Sequence, residues 1–167
     1  AFAGSPLAES LTLKFSAFEP PQAFGPQKVY GPWAKAVSEA SEGTLRVEVF
    51  AGGAPGKPVA QLQIVQDGVA QVSQIVPSFT PGRFKQNEIG EIPFLWDDPT
   101  VAGIAIWRLI EKGELKYPGV KVLSATMTGS CQLHTAKPIK RLEDVNGLKS
   151  RAAGPICGNI VRAIGAA

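Results

Sequence analysis

Residues 11–17 read LTLKFSA and residues 44–50 read TLRVEVF, and these two short runs set the fold. In the first, Leu11, Leu13 and Phe15 alternate with Thr12, Lys14 and Ser16; in the second, Leu45, Val47 and Val49 alternate with Arg46 and Glu48. A period of two is the mark of a half-buried strand. Between them, FEPPQAFGP reads as a loop, because proline and glycine interrupt regular structure. The stretch from Pro26 to Ser41 places Val29, Trp33 and Val37 on one stripe at helical spacing, and Gly43 stops it, since glycine readily adopts the left-handed conformation that ends helices. Strand, helix and strand in this order form a βαβ unit with an expected right-handed crossover.

The pattern repeats outward from that unit. After the loop AGGAPGKP, a second helix is expected over Val59–Asp67, ended by Gly68, and then a strand over Val72–Val76. The turn-rich PSFTPGRF and the apolar IPFLW lead to Asp97 and Asp98, either of which suits the N-cap of a third helix with Pro99 at its start. That helix runs to Lys112 with Ala102, Ala105, Ile106, Leu109 and Ile110 on one side. A strand is expected at Val120–Ala125, a short helix at Leu142–Val145, a strand at Lys149–Ala152 and a last helix at Pro155–Ile164. A domain crossing is placed near Thr126–Gly129. Alternating strands and helices imply an α/β fold with a largely parallel sheet.

Composition narrows the function. Of 167 residues, 44% are hydrophobic and 19% charged, which suits a packed domain rather than a disordered chain. The longest apolar runs are strand-length, too short to span a bilayer. The formal charge of +3 is scattered, with a looser basic excess from Lys137 to Arg162 and no nucleic-acid module, so nucleic acid is not an expected partner. The opening Ala1-Phe2-Ala3-Gly4-Ser5 has the small-x-small form of a signal-peptidase site. The two cysteines, Cys131 and Cys157, are too few for a zinc site; a disulfide and two buried thiols both stay open.

Catalytic motifs are missing. In AGGAPGKP, Ala51 stands where a phosphate-binding loop needs its first glycine, and Pro58 stands where it needs Ser or Thr. His134 is the single histidine, and no serine lies in a G-x-S-x-G elbow. Neither a metal nor a cofactor is expected. Trp33 and Trp107 read as core, and Trp96 as core or cleft wall. Arg151 is the residue with a chemical role to fill. It closes Leu148-Lys149-Ser150 at an expected strand end, where ligands bind in parallel sheets, and a guanidinium can grip a carboxylate with two parallel hydrogen bonds.

Six motifs in order resemble the DctP-type solute-binding proteins of TRAP transporters: LTLKFSAFEPP, GTLRVEVFAGGAPGKP, DGVAQVSQIVPSFTPGRF, EIPFLWDDP, SCQLHTAKPIKRLEDVNGLKSRAAGP and RAIGA. The resemblance implies a two-lobe, periplasmic-binding-protein-like (type II) α/β fold, with residues 1–126 in the first lobe and residues 127–167 in part of the second. It implies that Arg151, in GLKSR, forms a salt bridge to the substrate carboxylate. In sialic-acid-binding members a G-x-R-Q element supplies a second arginine; here it reads Gly129-Ser130-Cys131-Gln132, which disfavours sialic acid and leaves Gln132 as a hydrogen-bonding partner. Phe18, Glu19, Ser78 and Phe79 are expected to line the cleft from the first lobe, with Cys131, Trp96 and Pro155 completing the site. The implied protein is an exported, periplasmic receptor, monomeric at full length, that takes a small organic acid to TRAP membrane subunits and has no enzymatic activity. Members of this family are nearly twice as long, so a chain stopping part-way through the second lobe is expected to expose apolar surface and to associate through it. An enzyme on the same architecture, and a sensory domain docked to a membrane kinase, are the alternatives.

Overall fold

A computed structural model describes residues 10–167; the signal-peptidase reading at Ala1–Ser5 falls outside them. The chain divides into one compact unit ending at Val76 and another beginning at Pro77, a different cut from the 126/127 boundary expected between lobes.

The first unit is built on a three-stranded parallel sheet. Strands β1 (Leu11–Ser16), β2 (Leu45–Phe50) and β3 (Val72–Ser73) lie in the order β2-β1-β3, with Leu11 opposite Leu45, Ser16 opposite Phe50 and Phe15 opposite Val72. Helix α1 (Gly31–Ala40) connects β1 to β2, and α2 (Gln61–Gln66) connects β2 to β3. Because the second connection carries the chain past β1 to its other edge, β1 and β3 flank a topological switch point, where parallel sheets open a crevice at their carboxyl ends.

Alternation holds cleanly in β2, where Arg46 and Glu48 are exposed and Leu45, Val47 and Val49 are half-buried. It fails at the end of β1. Ser16, expected on the polar face, is fully buried beside Phe15 and Ala17, because the strand there is covered on both faces. Strand β3 covers two of the five expected residues. Gln74 N–H still reaches Ser16 O at 3.0 Å, but beyond Ala17 the chain turns away and leaves Ile75 and Val76 without a ladder.

One expected stripe is rotated. The stretch before α1, Gly25–Tyr30, is a π-helical turn, and its extra residue shifts the helical phase. Val29 is therefore exposed, and Tyr30 joins Trp33 over Phe15, with ring centroids 4.7 Å and 5.9 Å from the Phe15 ring.

The second unit contains α3 (Pro99–Glu111) and α4 (Pro155–Ala163), with short 3₁₀ helices at Pro77–Phe79, Lys85–Glu91 and Leu142–Val145. Helix α3 buries Ala102, Gly103 and Ile106. The stretch Ala125–Met127 packs beside Gly103, where a Cβ would meet the Met127 nitrogen at an ordinary contact distance of 3.5 Å. Asp98, one of the two candidate caps, holds the start of α3 by accepting from the N–H groups of Thr100 at 2.6 Å and Val101 at 3.2 Å.

The Val101 hydrogen bond, then that of Thr100, keeps the Asp98 carboxyl below the usual carboxylate range. A depressed carboxyl contributes stability above its unfolded value, and that contribution disappears as pH falls through the folded value. Asp98→Ala should therefore lower the melting temperature more at neutral pH than at a pH below both values, as thermal melts across pH would record.

Two expected strands do not form. Over 120–125 the sole backbone bond among the described residues runs from Val120 N–H to Tyr117 O, and a strand without a partner is only extended chain. Over 149–152 pairing is confined to Ser150 N–H to Ala167 O at 2.9 Å and Ala167 N–H to Leu148 O at 2.8 Å. These two bonds have parallel-ladder geometry, but Arg151 and Ala152 lie past them.

Candidate functional site

At the carboxyl ends of β1 and β3 the first unit concentrates polar groups. Glu19 Oε1 accepts from Gln74 Nε2 at 3.1 Å, tying the loop after β1 to the residue after β3. Glu19 Oε2, Gln74 Oε1 and Ser16 Oγ are buried and have no hydrogen-bond partner among the described residues. Unpaired buried polar atoms cost free energy unless a ligand or water completes them. Two of the three accept only, so the cluster suits a donor such as a hydroxyl. Gly25 seals it on one side, because a side chain there would collide with Glu19 Oε2. Burial, then the Glu19 charge, raises the Tyr30 phenol to about 12, which keeps it neutral beside the carboxylate. Of this group the sequence singled out Glu19 alone. Phe18, its half-buried neighbour, lies in the same loop.

The second unit gathers several of the remaining residues around the start of α4. Gly154 caps that helix with φ +96°, and Pro155 follows at its first position. The Phe79 ring packs on Gly154 so closely that a Cβ there would sit 2.8 Å from Phe79 Cδ1, with Ser78 O at 3.9 Å. Ser78 and Phe79, expected to reach in from the first lobe, thus pack against α4 inside the second unit. Cys157, in the first turn of α4, approaches Cys131 with 3.8 Å between sulfurs.

Arg151, three residues before the cap, is exposed, and among the described residues no carboxylate lies within ion-pair distance. Gln132 is also exposed, next to Cys131. Trp96 is half-buried and donates its indole N–H to Ile89 O at 3.4 Å, so it is anchored to its own loop. Among the described residues no group of His, Cys, Asp and Glu is placed to hold a metal ion, and no helix is long and apolar enough to cross a membrane.

Gly154 is the residue on which this arrangement turns. At its positive φ any side chain is strained, and the Phe79 ring occupies the space a Cβ needs. Gly154→Ala should cost about 1–3 kcal/mol, read as a lowered unfolding midpoint in denaturant. An unchanged midpoint would show that the 78–79 turn is not held against α4.

The family model of bacterial extracellular solute-binding proteins, family 7 (DctP), matches residues 16–167. The chain belongs to this family. Its members are receptors that bind solutes and are not enzymes. A TRAP solute-binding protein from Rhodoferax ferrireducens, solved with copurified benzoate, superposes with a TM-score of 0.82 at 26% identity, over 94% of this chain and 50% of that one. A marine metagenome TRAP protein specific for aromatic acids, solved with 3-hydroxybenzoate, gives 0.82 at 28% identity, over 95% of this chain and 50% of that one. Among curated proteins, the outer membrane transporter protein TsaT of Comamonas testosteroni is 25% identical over 164 residues, 96% of this chain and 48% of TsaT. The chain therefore spans about half the length of the relatives it matches. The α/β, periplasmic-binding-protein-like fold expected from the sequence is the fold of these structures.

Proposed function

We propose that the protein is the extracytoplasmic receptor of a TRAP transport system, that it binds a small organic carboxylate, and that it passes this cargo to the membrane subunits. The observation that carries the proposal is Arg151: a guanidinium with no carboxylate in ion-pair distance among the described residues, in the GLKSR element, just ahead of the α4 amino terminus. A helix amino terminus favours an anion nearby, and a guanidinium offers two parallel donors that match a carboxylate. In this reading Gln132 supplies a further hydrogen bond, and Ser78, Phe79 and Pro155 build the wall beside the α4 cap.

An aromatic monocarboxylate is the favoured cargo. Two TRAP proteins related at 26% and 28% identity were solved with benzoate and 3-hydroxybenzoate, and a third at 26%, from Bordetella bronchiseptica, with the two mandelate enantiomers. Cys131, standing where sialic-acid-binding members carry arginine, agrees with a ligand poorer in anionic groups.

Thermal unfolding of the full-length protein with a panel of acids tests the proposal. A ligand that binds only the folded state stabilises it by RT ln(1 + [L]/Kd), so one present at a hundred times its Kd adds about 2.7 kcal/mol. Benzoate, hydroxybenzoates and mandelate are expected to raise the melting temperature above the shift given by D-glucuronate. No shift with any organic acid, together with a shift from a neutral or cationic solute, would overturn the assignment.

A further inference from the structure

We propose that Cys131 and Cys157 are the two halves of a disulfide that fastens the irregular segment around residues 126–135 to the first turn of α4. Their sulfurs stand 3.8 Å apart, and a disulfide brings them to about 2.05 Å, so the pair must close by roughly 1.8 Å. The segment can supply that movement. Among the described residues, no backbone group from Lys121 to His134 makes a hydrogen bond to the rest of the protein, and Cys131 is exposed. Cys157 is the fixed partner, partly buried and held by the hydrogen bonds of α4. Two cysteines 26 positions apart are thus brought together by the fold, one on irregular chain and one on a hydrogen-bonded helix.

The family's extracellular setting supplies the redox environment in which such pairs oxidise and persist. The chemistry is exchange with a small disulfide such as oxidised glutathione. The exposed Cys131 thiolate attacks one glutathione sulfur, forming a mixed disulfide and releasing one glutathione thiolate. The Cys157 thiolate then attacks the Cys131 sulfur and releases the second. The two protons lost by the protein thiols end on the two glutathione thiols, and the two electrons lost by the cysteines reduce the glutathione disulfide. The closed loop encloses the GLKSR element, so both ends of the stretch that carries Arg151 become covalently fixed. The proposal stands whether or not Arg151 binds a carboxylate.

The test starts from reduced protein, which carries two titratable thiols. After incubation with oxidised glutathione, thiol titration is expected to fall to zero and the intact mass to drop by about 2 Da, with no glutathione attached. Trypsin without reductant should release the peptides 122–140 and 152–162 joined as one species that reductant separates. Cys131→Ser and Cys157→Ser, each folded by circular dichroism, should retain glutathione on the single remaining thiol. The intramolecular pair should also form at least about tenfold more favourably in the folded chain than in urea. Two thiols that persist, glutathione carried on both cysteines, covalent dimers as the main product, or equal pairing in urea would each overturn the proposal.

Discussion

Replacing Arg151 by alanine in the full-length protein is expected to abolish high-affinity binding of aromatic carboxylates while leaving the fold intact. In the free protein Arg151 is exposed and pairs with no described carboxylate, so its removal disturbs no internal ion pair. In the proposed complex, closure excludes water and strips the ligand carboxylate of its hydration. Truncating one partner of a desolvated, hydrogen-bonded charge pair costs about 2–5 kcal/mol, mostly because the other charge is left buried alone. That is a loss of roughly thirtyfold to several thousandfold in Kd. Arg151→Lys should recover part of it, since an ammonium restores the charge but not the two-pronged geometry. Titration calorimetry reads both, with circular dichroism as the folding control. An affinity unchanged in Arg151→Ala would remove this residue from the role and with it the carboxylate clamp.

The largest effect on stability is expected at Phe15. It is 6% exposed, lies in the central strand, and meets the rings of Tyr30 and Trp33. Phe15→Ala removes the group on which α1 and the sheet pack, leaving a cavity that the surrounding strands cannot collapse into. Large-to-small changes of this kind cost about 3–5 kcal/mol. Phe15→Leu keeps most of the volume and should cost well under half as much. Equilibrium unfolding in urea separates the two, and a loss below about 1 kcal/mol for the alanine variant would mean that the aromatic cluster is not the anchor of the first unit.

The strands at 11–17 and 44–50, the helix that ends before Gly43 and the Asp98-Pro99 start of α3 were legible in the residues, because each is decided by local periodicity or by a cap within one turn; the buried face of Ser16 and the exposed one of Val29 were not. What escaped was decided by partners. The apolar run 120–125 has strand composition but no neighbour to pair with, and Lys149–Ala152 finds only Ala167. The site was half legible. Arg151 and Glu19 stood out as charges beside loop signals, whereas Gln74 was hidden inside an expected strand and Ser16 was assigned to a solvent face. Their shared position became visible only when the strand order brought the ends of β1 and β3 together. The parallel order itself offered a signal: polar residues at the last position of successive strands merit scrutiny, because such ends open on a crevice.

The π-helical turn at Gly25–Tyr30 has an evolutionary consequence. A turn of this kind holds one residue more than an ordinary helix needs, so deleting a single residue there would let the backbone rewind into a continuous α-helix. Everything on the amino-terminal side of the deletion would then swing by about 100° around the helix axis. Tyr30 would lose its seat over Phe15, and the close fit of Gly25 against Glu19 would open. Length in this segment is therefore constrained alongside residue identity at Gly25, where a side chain has no room beside Glu19.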